Sequence, residues 1–103
     1  MNNFEFKYNE DEILNEISYY IKSTYGEHYA QNPNGIQVQD LLRSCGIDKE
    51  FCQGNAIKYI ARYGKKNGRN RKDLLKAVHY IILLMDSDLN ETIELNLVET
   101  PES

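Results

Sequence analysis

The sequence predicts a mainly α fold: a small helical domain of about four helices, with candidate short β-strands at its two ends. Three observations carry that expectation. Apolar residues recur every three to four positions at 13–24, 51–61 and 74–85, which is the helical period. Asn, Asp and Glu stand where those runs begin, as helix caps do. Glycines and the segment Asn32-Pro33-Asn34-Gly35 separate the runs. The 103 residues suffice for one domain. The expected organisation is an N-terminal strand or arm at 1–9, a helical ligand-binding domain at 10–86 and an acidic tail or strand at 87–103.

The elements follow in order. Phe4, Phe6 and Tyr8 alternate with Glu5 and Lys7, the two-residue period of a strand. Asn9 and Glu12 form a capping-box pattern. A first helix is expected from Glu10 to Tyr25, with Ile13, Ile17, Tyr20, Ile21 and Thr24 on one face and Gly26 as its stop. His28 to Gly35 reads as a loop. Val38, Leu41, Leu42 and Cys45 mark a short second helix, and Gly46 sits at its C-terminal cap. Asp48 can cap a third helix over Lys49 to Tyr63, whose apolar positions include Phe51, Ala56, Ile57, Ile60 and Ala61. Gly64-Lys65-Lys66-Asn67-Gly68 is a turn, and Asn70 with Asp73 suits a reciprocal cap. The fourth helix is expected from Arg71 to Met85, with an apolar stripe of Leu74, Leu75, Val78, Ile81, Ile82 and Met85. Ile93, Leu95 and Leu97 alternate with Glu94 and Asn96. They read either as a second strand, pairing with 4–8, or as a tail.

Charge is distributed unevenly. The net charge of -4 hides three blocks. Residues 1–53 hold four basic and nine acidic side chains, residues 54–80 eight basic and one acidic, and residues 81–103 six acidic and none basic. Such asymmetry bears on partners rather than on fold. No segment has the length of a membrane span, and Met1-Asn2-Asn3-Phe4-Glu5 lacks a signal-peptide pattern, so a cytoplasmic location is expected and no membrane partner. Cys45 and Cys52 make no disulfide framework, and reduced, structural thiols are expected. Eight tyrosines in a small chain suit half-buried surfaces, and a homo-oligomer is expected.

The chemistry concentrates in the basic block. Asn55, Lys58 and Arg62 stand at i, i+3, i+7 and share a helix face. Lys72, Lys76 and His79 or Tyr80 are spaced similarly on the next helix. A short turn between two helices makes them antiparallel, so both cationic stripes can flank one groove with Lys65 and Lys66 at its end. Lysine and arginine suit phosphate oxygens, Asn55 offers an amide to a base or sugar, and Tyr59, Tyr63 and Tyr80 can stack a base. No G-x-x-x-x-G-K-[ST] loop, G-x-G-x-x-G turn, zinc-ligand spacing or nucleophile arrangement is present.

The stretch Gly54-Asn55-Ala56-Ile57-Lys58-Tyr59, with Arg62, Lys65-Lys66-Asn67-Gly68, Asp73-Leu74, Lys76-Ala77 and Tyr80, resembles the phage SaV-like family of small nucleotide kinases. His28-Tyr29 and Gly35-Ile36 match two further elements of the family pattern, so the resemblance spans His28 to Met85. It implies a phage or prophage protein acting on nucleotides in a bacterial host, with a deoxynucleoside monophosphate kinase as the reference activity. It carries the family's Asn, Lys and Arg positions onto Asn55, Lys58 and Arg62, with Lys65, Lys66 and Lys76 nearby. One departure matters. An acidic residue usually follows Gly-Ile in that family, and this chain has Gln37. A carboxylate holds Mg²⁺ well and an amide poorly. Kinase chemistry would require Mg²⁺, with Asp73 and Asp40 as candidate carboxylates. Two other readings stand beside the kinase. One is a non-catalytic nucleotide binder or sponge. The other is an inhibitor of a host defence or replication protein. Specific DNA binding is not expected of so acidic a chain.

Overall fold

The computed structural model describes residues 4–31, 38–65 and 68–98, with side chains described over 4–25, 38–65 and 68–91. The described residues are helical almost throughout: α1 Glu10–Gln31, α2 Val38–Cys45, α3 Asp48–Arg62 and α4 Arg71–Val98. This is the small all-α domain with four helices that the apolar period predicts. The chain divides into two compact units, Met1–Gly35 and Ile36–Ser103.

The first unit holds α1. Glu10, Asp11 and Glu12 occupy its first turn, where negative charge complements the helix dipole. The predicted start is right but the cap differs. Asn9 takes a left-handed conformation (φ 62°), and its carbonyl accepts the Ile13 N–H at 2.9 Å. Glu10 rather than Glu12 turns back, its carboxylate accepting the Tyr8 N–H at 2.8 Å. The helix also runs six residues past Tyr25, through Gly26. An isolated glycine costs a helix only about 1 kcal/mol, and Glu27, Ala30 and Gln31 beyond it are good helix formers. His28 and Tyr29 therefore lie on α1 and not in a loop. Residues 4–9 form no strand; the Phe4 and Phe6 rings meet edge-on at 4.9 Å. The turn expected at 32–35, the Gly35-Ile36 pair and Gln37 lie outside the described residues.

The second unit begins with α2, joined to α3 by a two-residue turn. Gly46 adopts φ 77°, its N–H donates to the Arg43 carbonyl at 3.0 Å, and the Ile47 N–H donates to the Leu42 carbonyl at 3.1 Å. These two bonds are the Schellman pair, which needs a left-handed residue at the turn, hence glycine. α3 starts one residue earlier than expected. Asp48 is its first helical residue and not its cap; the cap position is Ile47, which makes no side-chain cap bond. At the other end Gly64 turns left-handed (φ 85°), and its N–H donates to the Gly68 carbonyl at 2.9 Å, which closes the loop to α4. Asn70 caps α4, its side-chain oxygen accepting the Lys72 N–H at 3.0 Å, but the cap is not the reciprocal one expected: Asp73 Oδ2 has no hydrogen-bond partner among the described residues.

α3 and α4 pack as an antiparallel pair. Tyr59 meets Tyr80 near the loop, while Asp48 meets Ser87 and Lys49 meets Glu91 at the far end. The seam is built from small side chains: Cys52, Ala56 and Ala77 are buried, with Asp48, Asp73 and Ser87 as buried polar residues. Small residues at i, i+4 spacing let two backbones approach closely. α4 runs past the expected end at Met85 to Val98 and replaces both readings of 93–97, the strand and the tail. Leu89, Ile93 and Leu97 are also spaced i, i+4, and no Gly or Pro interrupts 71–98, so the helix continues to Val98. The N-terminal alternation thereby loses its predicted partner, and a lone strand does not stand.

Two outcomes follow for stability. Ala77 is 2% exposed. Ala77→Leu should overpack the seam and destabilise by about 1–3 kcal/mol in urea unfolding followed by circular dichroism; an unchanged midpoint would mean the helices do not touch there. The second concerns pH. The Ser87 hydroxyl donates to Asp48 Oδ2 and holds the Asp48 carboxyl below its ordinary range, against the opposing push of burial. The folded state therefore binds a proton less readily than the unfolded chain. The stabilisation is complete above the ordinary carboxylate value of about 3.9 and is lost as pH falls from there through the folded value. Ser87→Ala should cost about 1–3 kcal/mol at neutral pH, and Asp48→Asn should flatten the acid limb of the stability profile. Parallel acid limbs for wild type and Asp48→Asn would refute the linkage.

Candidate functional site

The antiparallel pair brings the two predicted cationic stripes together at the end where the loop joins α3 to α4. The centre of the arrangement is Tyr59. Its ring is stacked on Tyr80, with centroids 6.0 Å apart and planes 10° from parallel. Three cations stand over the same ring: Lys58 Nζ at 4.6 Å, Arg62 Cζ at 5.2 Å and Lys76 Nζ at 5.2 Å from its centroid. Lys58 and Arg62 come from α3, Lys76 from α4. Because all three share one centroid, no two stand more than about 10 Å apart, a separation comparable with the screening length of about 8 Å at physiological salt.

Local structure explains the convergence. Lys58 and Arg62 are one turn apart on α3, and Lys76 precedes Tyr80 by one turn on α4. Phe51 approaches the Tyr80 ring edge-on at 6.0 Å, so Tyr80 is held between two aromatic residues of α3. The ring quadrupole of Tyr59 attracts the cations, each contact contributing about 0.5–1 kcal/mol at such half-exposed sites. Among the described residues no carboxylate pairs with Lys58, Arg62 or Lys76, whereas three ion pairs form toward the far end: Arg43 with Asp86 and Asp48, and Lys49 with Glu91. Among the described residues the three cations on Tyr59 therefore have no ion-pair partner.

The remaining predicted residues fall around this centre unevenly. Asn55 shares the α3 face with Lys58 and Arg62, but its amide donates to the Phe51 carbonyl at 2.8 Å, so one donor is used within the helix. Tyr63 is the half-buried C-terminal cap of α3, its N–H shared between the Tyr59 and Ile60 carbonyls. Lys65 is exposed in the loop, and Lys72 is exposed in the first turn of α4, one turn before Lys76. Both stand at the same end of the pair as the Tyr59 cluster. Lys66 lies outside the described residues, as do the side chains of His28 and Tyr29.

The carboxylates nominated for metal part company. Asp40 is exposed on α2, while Asp73 is buried in the first turn of α4, its Oδ2 lacking a hydrogen-bond partner among the described residues. Among the described residues no group of three His, Cys, Asp or Glu side chains gathers to hold a metal.

The sequence missed the polar cluster at the other end of the pair. Arg43 of α2 reaches Asp86 of α4 at 2.7 Å, and its guanidinium pKa is raised chiefly by that bond. The Lys49 ammonium is raised chiefly by its bond to Glu91. The usable signal was Ser87, a small hydroxyl residue in phase with Asp73 and Ala77 on a face that must be buried.

A stability test separates packing from ligand roles. Lys58→Ala and Lys76→Ala remove a cation–π contact but also like-charge repulsion, so each should change unfolding stability by less than about 0.5 kcal/mol. Tyr59→Leu removes the stack on Tyr80 together with all three cation contacts and should cost about 1–3 kcal/mol. Inorganic pyrophosphate should raise the melting temperature of the wild type and raise it less in Lys58→Ala. Equal shifts in both would mean that Lys58 does not hold the anion.

Among the described residues no helix is long and apolar enough to cross a membrane. No curated protein and no solved structure matches the chain. A family profile described as a protein of unknown function, DUF3310, matches residues 23–82, more than half of the chain. The match runs from within α1 to Ile82 in α4 and so includes Lys58, Tyr59, Arg62, Lys76 and Tyr80. The chain belongs to the DUF3310 family.

Proposed function

We propose that the protein binds nucleotides through the phosphate-seeking cluster of Lys58, Arg62 and Lys76 around Tyr59. The observation that carries the reading is the approach of three cations, from two helices, to one aromatic ring, none of them ion-paired to a carboxylate among the described residues. Placing like charges together is unfavourable unless a polyanion relieves it. A phosphate chain does so, and arginine adds a bidentate contact. Lys65 and Lys72 extend the positive field at the loop end. The Tyr59–Tyr80 stack offers an aromatic surface beside the cations on which a base can lie.

The resemblance of the Gly54–Tyr59 motif to the phage SaV-like family directs the reading toward a deoxynucleoside monophosphate kinase-like protein, at work in the cytoplasm of an infected or lysogenic bacterium. Phosphoryl transfer depends on positioning and on cationic stabilisation of the transferring group, and the cations of the cluster support the second of these. Gln37 favours a second reading, a binder that sequesters or senses a nucleotide without transferring phosphate, since an amide replaces the metal-holding acid that the resemblance expects. Self-association suits either reading, because a small domain whose exposed residues include Ile81, Ile82, Met85 and Leu89 gains by covering them.

Calorimetry with deoxynucleoside monophosphates and ATP tests the site. Binding should weaken about ten- to a hundredfold in Lys58→Ala and in Arg62→Ala, the equivalent of one charge-assisted hydrogen bond or a bidentate pair. No heat with any nucleotide would sink both readings. A coupled assay with ATP and Mg²⁺ distinguishes them: turnover identifies a kinase, and binding without turnover identifies a sequestering protein.

A further inference from the structure

The seat of α2 is unlike the rest of the second unit. α2 has eight residues and none of them is buried. A helix this short has little stability of its own and must be held from outside. Its inward face is Gln39, Leu42 and Arg43, all half-buried, while Val38 and Leu41 are 64% and 55% exposed. Directly inside lies the Cys52 thiol, 0% exposed, which donates to Gln39 Oε1 at 3.5 Å. Burial pushes that thiol up, so it is a protonated, unreactive group while covered.

Beside that Gln39 contact, the polar ties of α2 to α3 and α4 among the described residues come from Arg43. Arg43 bonds Asp86 at 2.7 Å, and its Nε lies 3.7 Å from Asp48 Oδ2. The first contact is half open to solvent, with the two side chains 37% and 50% exposed, and is therefore sensitive to salt. The seat is also imperfect. The buried Gln39 Nε2 and Arg43 Nε lack hydrogen-bond partners among the described residues, and both are donors that water would satisfy if α2 moved outward. α3 and α4 do not depend on α2 in the same way, because Cys52, Ala56, Ala77, Ser87 and Asp48 bind those two helices to each other.

We propose that α2 is a hinged cover over the Cys52 thiol, latched by Arg43, that lifts from α3 and α4 while those two helices stay packed. The hinge is the Gly46-Ile47 turn. Opening exposes a thiol at the α2–α3 junction and frees Asp48 and Asp86 from Arg43. The inference is independent of the nucleotide-binding reading, since none of these residues belongs to the Tyr59 cluster.

Thiol labelling tests it in the full-length chain carrying Cys45→Ser, which leaves Cys52 as the one reactive thiol. Labelling by a small disulfide reagent should proceed under native conditions, faster than the global unfolding equilibrium allows. Adding Arg43→Ala should accelerate it at least tenfold, and 1 M NaCl should accelerate the parent but not the Arg43→Ala variant. Ala77→Leu, which weakens the α3–α4 seam, serves as the control for general destabilisation and should accelerate labelling less than Arg43→Ala does. Hydrogen exchange should show the α2 amides opening together and ahead of those in α3 and α4. Labelling that merely follows global stability across the variants, or α2 amides that exchange no faster than those of α3, would overturn the proposal.

Discussion

The close antiparallel contact of α3 and α4 is the constraint on which the second unit depends. Its core is small. Cys52, Ala56 and Ala77 contribute little apolar surface each, but they let the backbones approach. Close approach has two consequences. It demands that any polar group in the seam find a partner, which Asp48 and Ser87 do for each other. It also lines up the faces of the two helices at the loop end, so that side chains more than a dozen residues apart meet around one ring.

The pair is electrically polar along its length. Toward the start of α3, acidic side chains are numerous and Arg43 and Lys49 neutralise part of them in ion pairs. At the loop end, basic side chains gather on Tyr59 without acidic partners among the described residues. Cation–π attraction is weak compared with a salt bridge to a phosphate, so it can hold the three cations near one another without satisfying them. On the nucleotide-binding reading proposed above, the charges are assembled before the anion arrives. The far end uses its charges for structure instead, and there Arg43 ties α2 to the rest.

Much of the fold was legible because the helical period is a local signal. The starts of α1 and α4, the short α2 and its Gly46 stop were all readable from spacing and caps. The misreadings came where one local signal competed with another. Gly26 resembles a stop, yet one glycine does not outweigh the helix formers after it. The alternation at 93–97 resembles a strand, but the same leucines and isoleucine also fit the helix that arrives from Arg71, and a strand without a partner gains nothing. Asp48 resembles a cap because Asp is a favoured N-cap residue, but it is the first helical residue and its carboxylate accepts the Ser87 hydroxyl across the seam.

By itself the sequence determined the four helices, the concentration of positive charge in residues 54–80 and the placing of Asn55, Lys58 and Arg62 on one face, because each follows from composition or from a repeat of 3.6 residues. Tertiary structure alone decided which of those charges meet. Lys58, Arg62 and Lys76 converge because the register of α3 against α4 puts Tyr59 beside Tyr80, and that register is set by packing in the seam, which no single helix encodes. The same packing decided that Asp48 and Ser87 are partners and that Cys52 lies covered beneath α2. Spacing along a chain places residues on a helix face; the fit between two faces determines what they touch.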